Sequence, residues 1–237
     1  MYLFPAIDLY EKKAVRLYKG DYSRMTVYSD DPAGKAKEFV CCGASHIHIV
    51  DLEGARDGTT PNFNTVCRIK GESGAFCQIG GGIRSMDVID RYLSAGLDRV
   101  ILGTAAVQDR ELLKRAVGRY AERIAVGADI RDGFLAVKGW TESSGITAER
   151  FFREMKETGV RTVICTDISR DGVLQGANLE LYGELSRRFD MDIVASGGVS
   201  GLDDIRKLAE IGLYGAIIGK ALYTGGVDLA KAVEAAE

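Results

Sequence analysis

One stretch of this chain occurs twice, and the repeat limits what the chain can fold into more than any other feature. Gln78-Ile79-Gly80-Gly81-Gly82-Ile83-Arg84 through Val100-Ile101-Leu102-Gly103-Thr104-Ala105 reads as strand, glycine turn, helix, strand, glycine turn. Ser196-Gly197-Gly198-Val199 through Ala216-Ile217-Ile218-Gly219-Lys220-Ala221 aligns with it without a gap, at the offset that takes Gly81 to Gly197. Gly81, Gly82, Asp87, Ile89, Gly96, Leu97, Ile101, Gly103 and Ala105 meet identical residues at Gly197, Gly198, Asp203, Ile205, Gly212, Leu213, Ile217, Gly219 and Ala221. Glycines and core apolars coincide while surface positions drift, as common backbone geometry would leave them.

The rest of the chain extends this unit. Short apolar runs fall at Leu3–Ile7, His46–Val50, Phe76–Ile79, Arg99–Leu102, Ile124–Ala128, Thr162–Thr166, Asp192–Ala195 and Ala216–Ile218. Their nearly unbroken apolar character suits strands covered on both faces. Amphipathic windows separate them near Pro32–Cys42, Asn62–Lys70, Met86–Ala95, Arg110–Tyr120, Ala148–Thr158, Leu179–Arg188, Leu202–Glu210 and Asp228–Ala236. Asp31, Ser85, Asp109 and Thr147 are start signals, and Gly43, Gly71, Gly96, Gly159 and Gly212 are stop signals. Eight βα units in a row predict a parallel sheet with helical crossovers. Eight closes into a (β/α)8 TIM barrel, and 237 residues sit near that fold's usual length of about 250. The repeat implies one domain over 1–237 built from two homologous half-barrels, approximately 1–120 and 121–237. A doubly wound open sheet would not explain matching glycine turns after units three and four and again after seven and eight.

Composition excludes several function classes. A net charge of −3 and the lack of a basic stripe give no footprint for nucleic acid. The N-terminus has no basic region and no long apolar run, so neither a signal peptide nor a membrane span is expected. The five cysteines (Cys41, Cys42, Cys67, Cys77 and Cys165) form no C-x-x-C pair, and there are only two histidines. No metal site is expected, and reduced, buried thiols in a cytoplasmic protein are.

The chemistry should gather where a barrel builds it, on the loops at the C-terminal face. Gly81 and Gly82 with Gly103-Thr104, and Gly197 and Gly198 with Gly219-Lys220, are paired glycine turns that each follow a strand and open a helix. Glycine admits a ligand close to the backbone, and a helix N-terminus offers free N–H groups to an anion. Two such pairs on opposite sides of the mouth suit a small molecule with a phosphate at each end. Asp8 and Asp129 end the first and fifth strands and should face each other across the mouth, as general acid and base. Thr166 and Asp171 lie at the sixth strand's end and are further contributors, whereas Asp51 and Asp57 read as turn and cap residues. Arg16 and Arg84 could reach phosphates as planar forks. Two long loops, Asp8 to Asp30 with Gly20 and Asp132 to Ile146 with Trp140, are candidate lids; Trp140 could cover a planar ring or anchor its loop. His46 and His48 alternate with Ile47 and Ile49, so both point the same way off one strand, and they read as packed or hydrogen-bonded residues.

These motifs together resemble a known family. Phe4-Pro5-Ala6-Ile7-Asp8-Leu9, Val15-Arg16-Leu17, His48-Ile49-Val50-Asp51-Leu52-Glu53-Gly54-Ala55, Gly80-Gly81-Gly82-Ile83-Arg84, Thr166-Asp167-Ile168-Ser169-Arg170-Asp171-Gly172, Ser196-Gly197-Gly198-Val199 and Gly219-Lys220-Ala221-Leu222-Tyr223 are similar to those of the phosphoribosylformimino-5-aminoimidazole carboxamide ribotide (ProFAR) isomerases of histidine biosynthesis. The resemblance spans the whole chain. It implies a cofactor-independent Amadori rearrangement of an aminoaldose phosphate to an aminoketose phosphate. The expected partner is the small bisphosphorylated substrate, and a monomer is expected, although no sequence feature reports on oligomeric state. The resemblance implies proton acceptance at Asp8 and donation at Asp129, with Asp171 a further acid/base candidate. Gly172 and Ser196 join the substrate-binding set through their motifs. Related enzymes act on phosphoribosylanthranilate as well, and the cyclase subunit of imidazole glycerol phosphate synthase shares the doubled barrel; Ala6-Ile7-Asp8-Leu9 and Asp51-Leu52-Glu53-Gly54-Ala55 favour the isomerase.

Overall fold

The computed structural model describes residues 1–18, 20–137, 139–140 and 142–237. Among them the strands are β1 Tyr2–Tyr10, β2 Lys13–Tyr18, β3 Asp21–Ser29, β4 His46–Asp51, β5 Phe76–Gly80, β6 Arg99–Leu102, β7 Ile124–Arg131, β8 Phe134–Val137, β9 Glu142–Thr147, β10 Thr162–Asp167, β11 Asp192–Ser196 and β12 Gly215–Ile218. The helices are α1 Pro32–Cys41, α2 Leu52–Asp57, α3 Phe63–Ser73, α4 Met86–Ser94, α5 Thr104–Gln108, α6 Arg110–Tyr120, α7 Ala148–Thr158, α8 Leu179–Arg188, α9 Leu202–Glu210, α10 Lys220–Tyr223 and α11 Leu229–Ala235. Strands β1, β4, β5, β6, β7, β10, β11 and β12 pair in parallel in that order, and β12 returns to β1. The sheet is therefore a closed (β/α)8 barrel. No helix of the described residues is long and apolar enough to cross a membrane.

Strand periodicity separates two cores. Phe4, Ala6, Ile101, Ala125, Ile164, Val194 and Ile217 fill the barrel interior. Their neighbours along the strands, such as Ile47, Ile49, Cys77, Val100 and Val163, face outward and join the larger core under the helices. Continuous apolar runs follow directly, because both faces are buried.

The expected strands and long helices form, with several local corrections. Ser85, Thr147 and Asp109 cap their helices by side-chain hydrogen bonds. Asp31 makes no cap bond; its carboxylate pairs with Arg68 instead. Gly71 does not stop α3, which runs on to a left-handed Gly74. Cys41 and Cys42 are exposed, so buried thiols hold only for Cys77 and Cys165.

The largest correction concerns the two long segments expected as loops. The first folds as β2 and β3, and the second as β8 and β9, each an antiparallel extension of a barrel strand. Asp8 and Asp129 therefore do not end their strands. Each lies two residues before the end, where the strand leaves the barrel and enters its hairpin. In β3 the alternation of Tyr22, Arg24, Thr26 and Tyr28 was the available signal.

The glycine pairs have a structural duty at the repeat. Gly81 (φ 101°) and Gly197 (φ 88°) are left-handed. A Cβ on Gly81 would lie 2.1 Å from the Asp51 carbonyl oxygen, and one on Gly197 would lie 2.5 Å from the Asp167 carbonyl oxygen. The backbone of each loop thus rests on the end of an earlier strand. The same two aspartates are clasped by equivalent asparagines. Asn62 Nδ2 donates to Asp51 at 2.8 Å, and Asn178 Nδ2 donates to Asp167 at 2.7 Å. Asp51 also accepts from the Gly54 and Asn62 backbone amides, and Asp167 from Ser169. Asp51 is thereby the cap residue expected. Removing a donor from a buried carboxylate costs about 1–3 kcal/mol, and each kcal/mol moves Tm by about 2–4 °C at this size. Asn62→Ala and Asn178→Ala should each lower Tm by several degrees in thermal unfolding; an unchanged Tm would show that the clasp carries no stability.

Candidate active site

The barrel mouth is built by strands that stand opposite one another. In the ring of eight, β1 faces β7, and the loops after β5 and β6 face those after β11 and β12. Asp8 of β1 and Asp129 of β7 therefore approach the axis from opposite sides. Asp8 pairs with Arg16 Nη1 at 2.9 Å, and both side chains are only 14% exposed. Arg16 reaches it because the β1–β2 register sets Val15 opposite Asp8. Its guanidinium also lies against Gly219, where a Cβ would meet Nη2 at 2.3 Å. A side chain at position 219 would displace the arginine. Arg16 Nε is buried without a hydrogen-bond partner among the described residues.

Asp129 has different company. Thr166 stands opposite it in the β7–β10 ladder, and the Thr166 hydroxyl and the Trp140 indole are the neutral donors that favour its anionic form. Trp140 has a left-handed backbone (φ 74°), a strained conformation for a bulky residue. A Cβ on Gly20 would come within 3.2 Å of its ring, so the turns of the two hairpins touch above the carboxylates. Asp171 acts electrostatically on Asp8, Arg16 and Asp129 together.

Two flanks complete the mouth. On one, Arg16, Arg24, Tyr18, Tyr28 and Lys220 line a cavity of about 410 Å³. Lys220 Nζ donates to the Gly172 carbonyl at 2.8 Å. Ser196 neighbours Thr166 in the ladder, and the buried Gly197 and Gly198 follow it. On the other flank are Gly81, Gly82, Gly103 and Thr104. The short helices α5 and α10 open from residues of matching backbone, Gly103 (φ −89°, ψ −114°) and Gly219 (φ −108°, ψ −104°). Arg84 donates to the Ala55 carbonyl at 3.1 Å and is exposed, so it braces a neighbouring loop. Arg24 and Tyr223 were not singled out from the sequence. Arg24 lies on the cavity-facing edge of an unrecognised strand, and Tyr223, inside a quoted motif, donates to the Ala6 carbonyl at 2.8 Å.

Electrostatics distinguishes the two central carboxylates. Burial raises both above the ordinary range, and Asp171 adds to the rise. The Arg16 cation opposes it at Asp8, whereas only the neutral donors Trp140 and Thr166 oppose it at Asp129. A charge-assisted partner holds the anion more strongly than neutral donors do. Asp8 is therefore the better standing base and Asp129 the better proton carrier. Arg16 keeps its charge: burial works against it, but Asp8 and then Asp171 outweigh that cost.

The profile of the "Histidine biosynthesis protein" family matches residues 2–228 of this chain. The chain is 46% identical to a protein of Ruminiclostridium cellulolyticum over 233 residues, covering 98% of this chain and 99% of the relative. It is 43% identical to a protein of Thermoanaerobacter pseudethanolicus over 237 residues, with both chains fully covered. A third relative, from Oceanobacillus iheyensis, is 46% identical over 234 residues, covering 99% and 98%. All three relatives carry the name 1-(5-phosphoribosyl)-5-((5-phosphoribosylamino)methylideneamino)imidazole-4-carboxamide isomerase.

The raised Asp129 carboxyl has a consequence for stability. An unfolded aspartate titrates near 3.9, and the native group titrates higher. Between the two values the native state binds more protons, so stability falls as pH rises through the window. At neutral pH the buried carboxylate is then a net cost. Asp129→Asn should raise Tm at pH 7, with a gain that shrinks on acidification and vanishes below about pH 4. A lower Tm than wild type at pH 7 would contradict this electrostatic account.

Proposed function

The chain belongs to the histidine biosynthesis protein family, and from that premise we propose that Asp8 and Asp129 catalyse the isomerisation of ProFAR, an Amadori rearrangement of an aminoaldose to an aminoketose. The observation that carries the residue assignment is the difference between the two opposed carboxylates, one ion-paired and one held by neutral donors. The three relatives are all named isomerases, which favours this reaction over that of the sister cyclase.

The chemistry follows from these partners. Asp129, protonated, gives its proton to the ribose ring oxygen, and the ring opens as C1 forms a double bond to the amine nitrogen. Asp8, kept anionic by Arg16, removes the proton from C2, giving an enolamine. A proton returns at C1 as the C2 hydroxyl becomes a carbonyl. Atoms and electrons balance within the substrate, so no oxidant or reductant is consumed. Thr166 supports Asp129, and the Asp171 charge raises the proton affinity of both carboxylates.

Two phosphates hold the sugar in register. One is bound by the Gly197, Gly198, Gly219 and Lys220 side, with Arg16 and Arg24 adding charge around the cavity. The other is bound by Gly81, Gly82, Gly103 and Thr104, in the equivalent half-barrel. Fixing both ends converts binding into orientation, a large contribution to rate. Trp140 lies on Asp129, so its indole is placed to respond when substrate reaches that carboxyl.

Removing one general base costs ~100-fold or more. Asp8→Asn should fold and bind the bisphosphorylated substrate but turn over at least ~100-fold slower, and near-wild-type turnover would refute the assignment. Offered ProFAR, phosphoribosylanthranilate, or the cyclase substrate with ammonia, the purified protein should consume ProFAR. Trp140 is the only tryptophan, so its emission should change as the site fills; an unchanged spectrum at saturation would mean that the indole stays on Asp129.

A further inference from the structure

Below the carboxylates the barrel holds three polar side chains that the proton transfers above do not use. His48, Gln78 and Arg99 lie on β4, β5 and β6 and are consecutive in the ladder: His48 is opposite Gln78, and Gln78 opposite Arg99. Gln78 is fully buried and Arg99 only 5% exposed. An amide and a guanidinium in an interior otherwise filled by Phe4, Ala6 and Ile101 are costly unless their hydrogen bonds are well placed.

Their bonds leave one consistent assignment. Arginine can only donate. Arg99 Nη1 lies 3.4 Å from Gln78 Oε1 and Nη2 lies 3.2 Å from the Tyr214 hydroxyl. Its guanidinium sits 5.0 Å from the Phe76 ring centre and 5.5 Å from that of Tyr214. The amide oxygen must therefore face Arg99, which turns the amide nitrogen toward His48, where Nε2 lies 3.0 Å from Nδ1. An amide nitrogen also only donates. His48 Nδ1 must then carry the lone pair, and its proton must sit on Nε2.

The charges around His48 keep it neutral. Arg16 approaches from β2, already paired to Asp8 of β1; Asp171 acts on that pair from the loop after β10; Arg99 stands beyond Gln78. Burial, and then the Arg16 charge, pull the imidazole down to about 3. His48 still keeps part of its surface open. Its Nδ1 edge is capped by Gln78, and the next inward position on β5 is Gly80, which puts no side chain of its own on the mouth side. Ala6, its partner on β1, is one inward step below Asp8.

We propose that Arg99 and Gln78 are positioning residues that hold His48 in its neutral Nε2–H form, so that it presents one hydrogen-bond donor to the reacting ribose beside Asp8. The proposal rests on the isomerase reading. A neutral donor orients a sugar oxygen without competing with Arg16 for Asp8, as an imidazolium would. The buried arginine thus works two residues away from the chemistry, by fixing which end of an amide faces the histidine.

The test begins with the wild-type protein labelled with 15N-histidine. Only two histidines contribute, and a His46→Asn variant identifies the His48 signals. Long-range proton–nitrogen correlation should show His48 with an unprotonated Nδ1 and a protonated Nε2, unchanged from pH 5 to 9. A Nδ1–H form, or titration near the ordinary value of about 6.5, would overturn the proposal whatever the activity. Gln78→Glu offers Nδ1 an acceptor in place of a donor. It should move a proton onto Nδ1 and lower kcat by about 10- to 100-fold, with a much smaller change in KM. Gln78→Met keeps the volume and should give mixed tautomers with an intermediate kcat. A shifted tautomer with wild-type kcat in either variant would also overturn it. Full activity in Asp8→Asn would instead refute the acid–base reading, leaving the nitrogen spectra to report independently on His48.

Discussion

The contact on which the mouth depends is backbone on backbone. Gly81 lies against the Asp51 carbonyl and Gly197 against the Asp167 carbonyl, closer than any side chain permits. Each contact joins the loop after one strand to the end of the strand before it. Each is secured from below by an aspartate clasped by an asparagine eleven residues later in the chain, Asn62 or Asn178. Because both contacts are made twice at the same offset, the two flanks of the mouth take the same shape. The glycines are thus required by packing first, and the same packing exposes the following turns and the starts of α5 and α10 to the mouth.

Two further constraints turn a symmetric frame into an asymmetric site. The hairpin β2–β3 carries Arg16 to Asp8, and the hairpin β8–β9 carries Trp140 to Asp129. One carboxylate gains a cation and the other a pair of neutral donors. Burial raises the proton affinity of both, and the partners then separate their roles. Gly219 belongs to this arrangement as well, since its missing side chain is the room that Arg16 occupies.

Much of this was legible in the sequence because it follows from periodicity and from glycine. Buried parallel strands read as apolar runs, and the repeat offset located the paired turns. Asp8, Asp129, Thr166 and Asp171 could be named because strand ends at one barrel face are few. The hairpins were not legible as strands: β3 and β9 are mostly exposed, so their alternation carries little hydrophobic signal. That concealed Arg24, and it made Asp8 and Asp129 look like the ends of strands that run further. Asn62 and Asn178 were within reach, since they obey the same offset as the glycines. The histidine pair shows the opposite limit. His46 is packed among Tyr2, Phe4 and Phe76 as expected. His48 shares its sequence environment, and only the Arg99–Gln78 chain distinguishes it.

On this reading one chain grips both ends of one doubly phosphorylated molecule, with the reacting sugar between Asp8 and Asp129. Phosphorus NMR of the product titrated with protein addresses it directly, because each phosphate reports separately. Both resonances should shift and broaden together and saturate at one ligand per chain. Perturbation of a single resonance, or saturation at two ligands per chain, would contradict the account.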